Sequence, residues 1–291
     1  MTGARARFSL LSWASLALAF GTVRAMTPEQ AEQKVLDALR RGDTIPAQAQ
    51  NLIELAWPKE GPADPVLSAR ARKELVDFGI HAIVPLRANL TRLAPAHQAD
   101  AVRAFIEARE RIPGPTPPDF VPGLEEVLWF GTREAKRIAM REVARYRSPH
   151  AVLPIVDSAL EDPALLPDAV AALGEIGSAR ARFFLAQVFH EGQPALREQA
   201  ASALARIGGS ALEPLREALR APSREERLVA VRALLAVAGE DDLSALYEYL
   251  ANHPDDDPPT TAAVRTAAER IEQELEARRA AEAASGSPES F

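Results

Sequence analysis

A motif of about 30 residues returns along this chain, and that constrains the fold more than any other feature, because each copy must bury its apolar side against its neighbours. ALGEIGS at 172–178 lies over ALARIGG at 203–209, so that Leu173 meets Leu204, Ile176 meets Ile207 and Gly177 meets Gly208. A further shift of 30 puts Ala200 on Ala230, Ala203 on Ala233, Leu204 on Leu234 and Ile207 on Val237. Towards the N-terminus, Ala139 meets Ala169, Val143 meets Leu173 and Tyr146 meets Ile176, and Ala71, Leu75, Phe78 and Gly79 repeat the series again.

Within each copy the apolar or small residues fall three, four and three apart, as in Ala200, Ala203, Leu204 and Ile207, which is one stripe of an amphipathic helix. A glycine then ends it, as left-handed caps commonly do. A second apolar motif follows: AIVPL at 82–86, AVLPI at 151–155, ALEPL at 211–215. Pro85, Pro154 and Pro214 are expected in the opening turn of that next helix, where a missing N–H costs little. The unit is two helices and two short turns. Only 5% of the residues are aromatic, which also favours helices over sheets.

The spacing predicts six helix pairs: 81–93 with 96–111, 120–131 with 133–147, 150–161 with 165–177, 179–190 with 195–207, 210–220 with 224–238, and 242–252 with 260–279. An unpaired helix at 66–78 precedes them. Two more helices, 28–41 and 45–57, form an N-terminal segment (26–60), set apart by PKEGPADP at 58–65 from a repeat region spanning 66–280. The proline-rich stretch at 112–123 is expected to be an irregular surface loop, and the tail 281–291 to be disordered. Trp57, Trp129 and Phe130 are expected in the core.

Residues 1–25 have the pattern of an export signal: Arg5 and Arg7, an apolar run from Phe8 to Phe20 too short to span a bilayer, then Val23 and Ala25 at signal-peptidase spacing. The expectation is a periplasmic or secreted protein with no membrane span in the mature chain. Met26 is the start of a cytoplasmic protein in the alternative reading. Losing Arg5, Arg7 and Arg24 takes the net charge from −7 to −10, which disfavours nucleic acid as a partner.

The Arg197-x-x-Ala200 step, ALARIGG and then ALEPL resemble HEAT-like repeats, of the short variety also found in phycobilin lyases. The resemblance covers about residues 66–280 and implies an all-α fold, a right-handed α-α superhelix whose first helices line the convex face and second helices the concave one. It also implies salt bridges between repeats from Arg197 and Arg227. Phe183 and Phe184 depart from it where the next unit has Pro214 and Leu215, and residues 241–247 lack the proline.

Of the enzymes built on this repeat, the di-iron branch needs residues this chain does not have. The di-iron branch uses several His-Glu dipeptides, and only His190-Glu191 occurs, better read as capping at a helix end. No Gly-rich phosphate loop, GxSxG or HExxH stretch is present, and zero cysteines exclude thiol chemistry and Cys-ligated metals. The acidic runs Glu240-Asp241-Asp242 and Asp255-Asp256-Asp257 lack a calcium loop's spacing and read as helix caps. The expectation is a non-enzymatic scaffold, with no cofactor and no metal, that binds a protein or peptide on the concave face. A lyase-like HEAT enzyme and a purely structural envelope component are the alternatives. The candidate partner-binding residues are Arg133, Arg137, Arg141 and Arg145, a stripe of arginines four apart on one helix face, extended across repeats by Arg103 and Arg232. The competing reading is that acids on adjacent repeats pair with this stripe.

Overall fold

The computed structural model describes residues 26–285, and every regular element among them is helical. In chain order the helices are α1 (Pro28–Arg41), α2 (Ile45–Ala56), α3 (Pro65–Asp77), α4 (Ile80–Asn89), α5 (Pro95–Glu110), α6 (Phe120–Phe130), α7 (Arg133–Arg145) and α8 (Val152–Glu161). They continue with α9 (Leu166–Ile176), α10 (Arg182–Glu191), α11 (Pro194–Ile207), α12 (Glu213–Ala218), α13 (Arg224–Leu235), α14 (Leu243–Asn252) and α15 (Pro258–Ser285). The expected export signal lies outside the described residues, as does most of the expected tail; α15 runs on to Ser285.

The even-numbered helices from α2 to α14 form one layer and the odd-numbered helices a second. Along the second layer each helix packs on the next, α1 on α3 and so on to α15, and each also packs on its partner in the first layer. The six expected pairs are all present. Leu75, Val102, Val143, Leu173, Leu204 and Leu234 come from successive second-layer helices and are buried in one continuous core. Each of these side chains fills the seam to the next repeat, which is why the apolar stripe recurs at the repeat length. Gly174 marks the tightest seam: a Cβ there would lie 2.7 Å from the Cβ of Ala203 on α11.

Two features of the N-terminal half differ from the sequence reading. The helices at 28–41 and 45–56 are not a separate segment, because α1 packs on α2 and α3, and α2 on α3 and α4. The helix at 65–77 is therefore paired, with α2. Residues 58–64 join the two parts without separating them, since Trp57 is buried ahead of the turn and its Nε1 donates to Asp100 of α5 at 3.0 Å. Pro85 also lies well inside α4, which starts at Ile80. Pro154 and Pro214 are near the starts of α8 and α12, as expected.

The long loop at 111–119 is held from within. Arg109 donates to the carbonyls of Ile112 (2.8 Å) and Gly114 (3.1 Å) and to the Thr116 hydroxyl (3.3 Å). Beside it Phe105 stacks on Phe120 at 4.8 Å between centroids, and Phe120 meets Tyr146 edge-on at 5.5 Å.

Candidate functional site

The arginine stripe lies on α7, on the outer face of the second layer, and every member has an acid partner. Arg133 pairs with Asp162, and its guanidinium holds that carboxyl below the usual range. Arg137 reaches Asp168 at 2.8 Å and Glu134 at 3.2 Å, with the Asp168 bond the main cause of its raised pKa. Arg141 reaches the other oxygen of Asp168 at 3.0 Å, and Arg145 reaches Glu142 at 2.9 Å. In the column across repeats, Arg103 pairs with Glu134 at 3.3 Å, whereas Arg232 has only a loose contact with Glu198, at 3.9 Å. The geometry is that of the acid-paired reading: most bonds run from one repeat to the next.

Deeper in the seam the pairing is stronger. Arg197 donates to the carbonyls of Phe189 (3.0 Å) and Gly192 (3.4 Å) and reaches Glu225 at 3.2 Å. Thirty residues on, Arg227 does the same with the carbonyls of Ala221 and Pro222 (2.7 and 2.9 Å) and with Asp256, whose carboxylate it grips with Nε at 2.7 Å. Arg227 and Asp256 are both buried, and the guanidinium holds the Asp256 carboxyl below the ordinary carboxylate range. Burial, followed by the charge of Asp256, pushes the neighbouring Tyr249 hydroxyl up to about 12. These arginines close the first-layer helix behind them and tie down the start of the next second-layer helix, forming the salt bridges between repeats that the resemblance implied.

In the acidic runs Asp242 and Asp257 serve helix starts, whereas Asp256 holds Arg227 and Glu240 pairs with Arg278. Asp242 accepts from the Gly239 amide and from Arg216, both at 2.8 Å, and Asp257 accepts from the Thr260 amide at 3.1 Å. His190, at the end of α10, faces Glu226 across the next seam at 2.7 Å. Among the described residues, no three His, Asp or Glu side chains are grouped so as to hold a metal ion.

A groove on the second-layer face lies between α11 and α13, away from the stripe. Its floor is Ala201, Ala205, Ala233 and Ala236, its volume about 350 Å³, and its rim carries Glu198, Arg206 and Arg232. Arg206 is exposed and has no ion-pair partner among the described residues. Of the six arginines singled out in the sequence, only Arg232 lines this groove.

Two expected core residues are surface residues. Trp129 is 40% exposed and Phe130 73% exposed at the last turn of α6, beyond the part of the helix that faces the core. The alignment of Phe183 with Pro214 is off by one: Phe184 stands at the proline position of its repeat, and Phe183 is 75% exposed beneath the Arg182 guanidinium, 4.5 Å above its ring. The signal for that was in the sequence: Val84, Leu153 and Phe183 each precede the proline position, an outward place that Glu213 fills in the following repeat.

Stacked helix pairs that bury their apolar stripes only against one another define an α-solenoid. Residues 183–269 match the family model of HEAT repeats, and the same two-helix unit recurs on the N-terminal side of that span, so the fold is that of a HEAT-like α-solenoid. No curated protein matches the sequence. Among solved structures, the crystal structure of an engineered protein matches over 85% of this chain and 98% of its own, at 20% identity and a TM-score of 0.26. Among the described residues no helix is long and apolar enough to cross a membrane.

Proposed function

We propose that this protein is an exported, non-enzymatic scaffold that binds an acidic peptide or protein segment along its second-layer face, in the groove between α11 and α13. HEAT repeats point to protein interaction at a coarse level. The observation that carries the finer reading is the unpaired state of Arg206 and the loose pairing of Arg232 over an alanine floor. The arginines of the α7 stripe, by contrast, are engaged within the stack. Free guanidinium groups above a shallow apolar floor suit carboxylates on an extended chain, which a bidentate arginine holds better than a lysine would.

Export rests on the pattern of residues 1–25 alone, since a chain that starts at Met26 and one cleaved after Ala25 would share the following contact. The Met26 backbone nitrogen donates to Asp64 at 2.9 Å. Cleavage after Ala25 would turn that amide into an ammonium facing a carboxylate.

The absence of cysteine provides the test, because Ser202→Cys in the groove would be the sole thiol in the chain. A photocrosslinker on that thiol should trap a partner in extracts of the source cell's envelope, and Arg206→Glu with Arg232→Glu should abolish the adduct. An adduct that survives charge reversal overturns the groove as the site. Recovery of the native chain in the cytosolic fraction overturns export.

A further inference from the structure

The opposite face of the stack carries a different combination. In the turn after α7, Arg147 is exposed at φ 47°, in the left-handed region. The equivalent positions before α4, α10 and α12 are glycines, Gly79, Gly177 and Gly208, at φ 53°, 69° and 72°. An arginine there is held against its own backbone preference in a place where its neighbours use the residue that fits. Three residues further on is His150, then Leu153, which is exposed. One repeat later the corresponding turn presents Arg180, Arg182 and the exposed Phe183. Neither Arg147 nor Arg180 has an ion-pair partner among the described residues.

The acids near these turns are few and mostly occupied. None lies in 143–156 or in 176–190. Glu125 accepts from the Ser148 hydroxyl at 2.8 Å, and Asp119 and Glu126 both hold Arg87. The band ends at the next repeat, where Glu213 and Glu217 rim the notch beside Phe183. One turn further along the helices Asp157 and Gln187 close its other side.

We propose that the turns at 147–153 and 180–183 form a membrane-docking edge for anionic lipid headgroups, with Leu153 and Phe183 entering the interface and Arg147, Arg180 and Arg182 meeting the phosphates. Charge complementarity selects this occupant: unpaired cations flank single apolar side chains that project from turns. Projecting side chains suit a soft planar surface, whereas a peptide partner needs a cleft to bury its own side chains. Each arginine near an anionic bilayer strengthens partitioning about fivefold, and the effect is screened by salt.

Ala179→Cys, again the sole thiol, would carry an environment-sensitive fluorophore at this edge in the full chain. Its emission should shift to the blue with phosphatidylcholine vesicles that contain phosphatidylglycerol, and not with phosphatidylcholine alone or at high salt. Arg147→Gly should weaken the response about fivefold while relieving the backbone, so a folding defect cannot account for the loss. Arg180→Glu with Arg182→Glu should weaken it by more than an order of magnitude. An unshifted probe on vesicle-bound protein overturns the proposal, as does an equal shift on neutral vesicles. A shift produced by polyglutamate as strongly as by vesicles, or by self-association without them, reassigns the edge to a protein partner.

Discussion

The two outer faces of the stack differ in what their charges touch. The second-layer face has the denser arginines, and those of the α7 stripe are spent on acids, mostly one repeat away: Arg133 on Asp162, Arg137 and Arg141 on Asp168. The turns of the first layer have fewer cations, and Arg147 and Arg180 are free beside exposed Leu153 and Phe183. A row of like charges at helical spacing need not be free in a repeat protein, because the next repeat supplies partners at the same period.

Substitutions that attack the shared core should damage both faces alike. Leu204 is fully buried, so Leu204→Asp should remove on the order of 4 kcal/mol and split the single melting transition, as neighbouring repeats lose contact. Calorimetry of a mutant that melts like the parent would refute nearest-neighbour coupling through this residue.

Next in size is the buried Arg227–Asp256 pair. Asp256→Ala strands a guanidinium in the seam and should cost about 3–5 kcal/mol in chemical denaturation. The Asp256 carboxyl is depressed in the fold, so its contribution is complete above the ordinary carboxylate value of about 3.9 and fades as pH falls through the lower, folded value. The wild type should therefore lose more stability on acidification than Asp256→Ala does, and parallel acid curves would count against the pair.

Gly174→Val, which forces a side chain against Ala203, should cost about 1–3 kcal/mol by overpacking the α9–α11 seam. The smallest effects separate the faces. Arg141→Glu, at an exposed pair, should change stability by no more than about 1 kcal/mol. Arg147→Gly should raise the melting temperature slightly, since up to about 1 kcal/mol of left-handed strain is relieved. A fall there would mean that the Arg147 side chain has a structural role.

The layered architecture was legible because a seam residue such as Leu204 must recur at the repeat length. The Arg197 and Arg227 bridges were legible through the resemblance to HEAT-like repeats, while the period showed only that the two arginines occupy equivalent positions. The N-terminal pair was less legible: Ala31, Val35 and Ala38 make a stripe on α1, but Gly42 and Pro46 stand four apart where Gly208 and Pro214 stand six apart, so the pair does not register on the repeat, and the prolines at 58 and 62 read as a break. Trp129 and Phe130 were misplaced for a different reason. Helical periodicity gives the face of a residue, whereas burial at the last turn depends on how far the neighbouring helix extends. The free state of Arg206 and Arg147 was not legible at all, since pairing depends on acids about 30 residues distant.

The uneven packing of the two layers has a mechanical consequence. Second-layer helices lie directly on one another from α1 to α15, whereas α8, α10, α12 and α14 touch each other little and are linked mainly through their partners. From α8 onward the stack therefore has a stiff spine along one side and open joints along the other, whereas α2, α4, α6 and α8 also pack on one another. Its soft motion is bending about that spine, which fans the first-layer turns apart or draws them together while the groove side keeps its length, so a ligand that spans two of those turns also sets the curvature of the molecule.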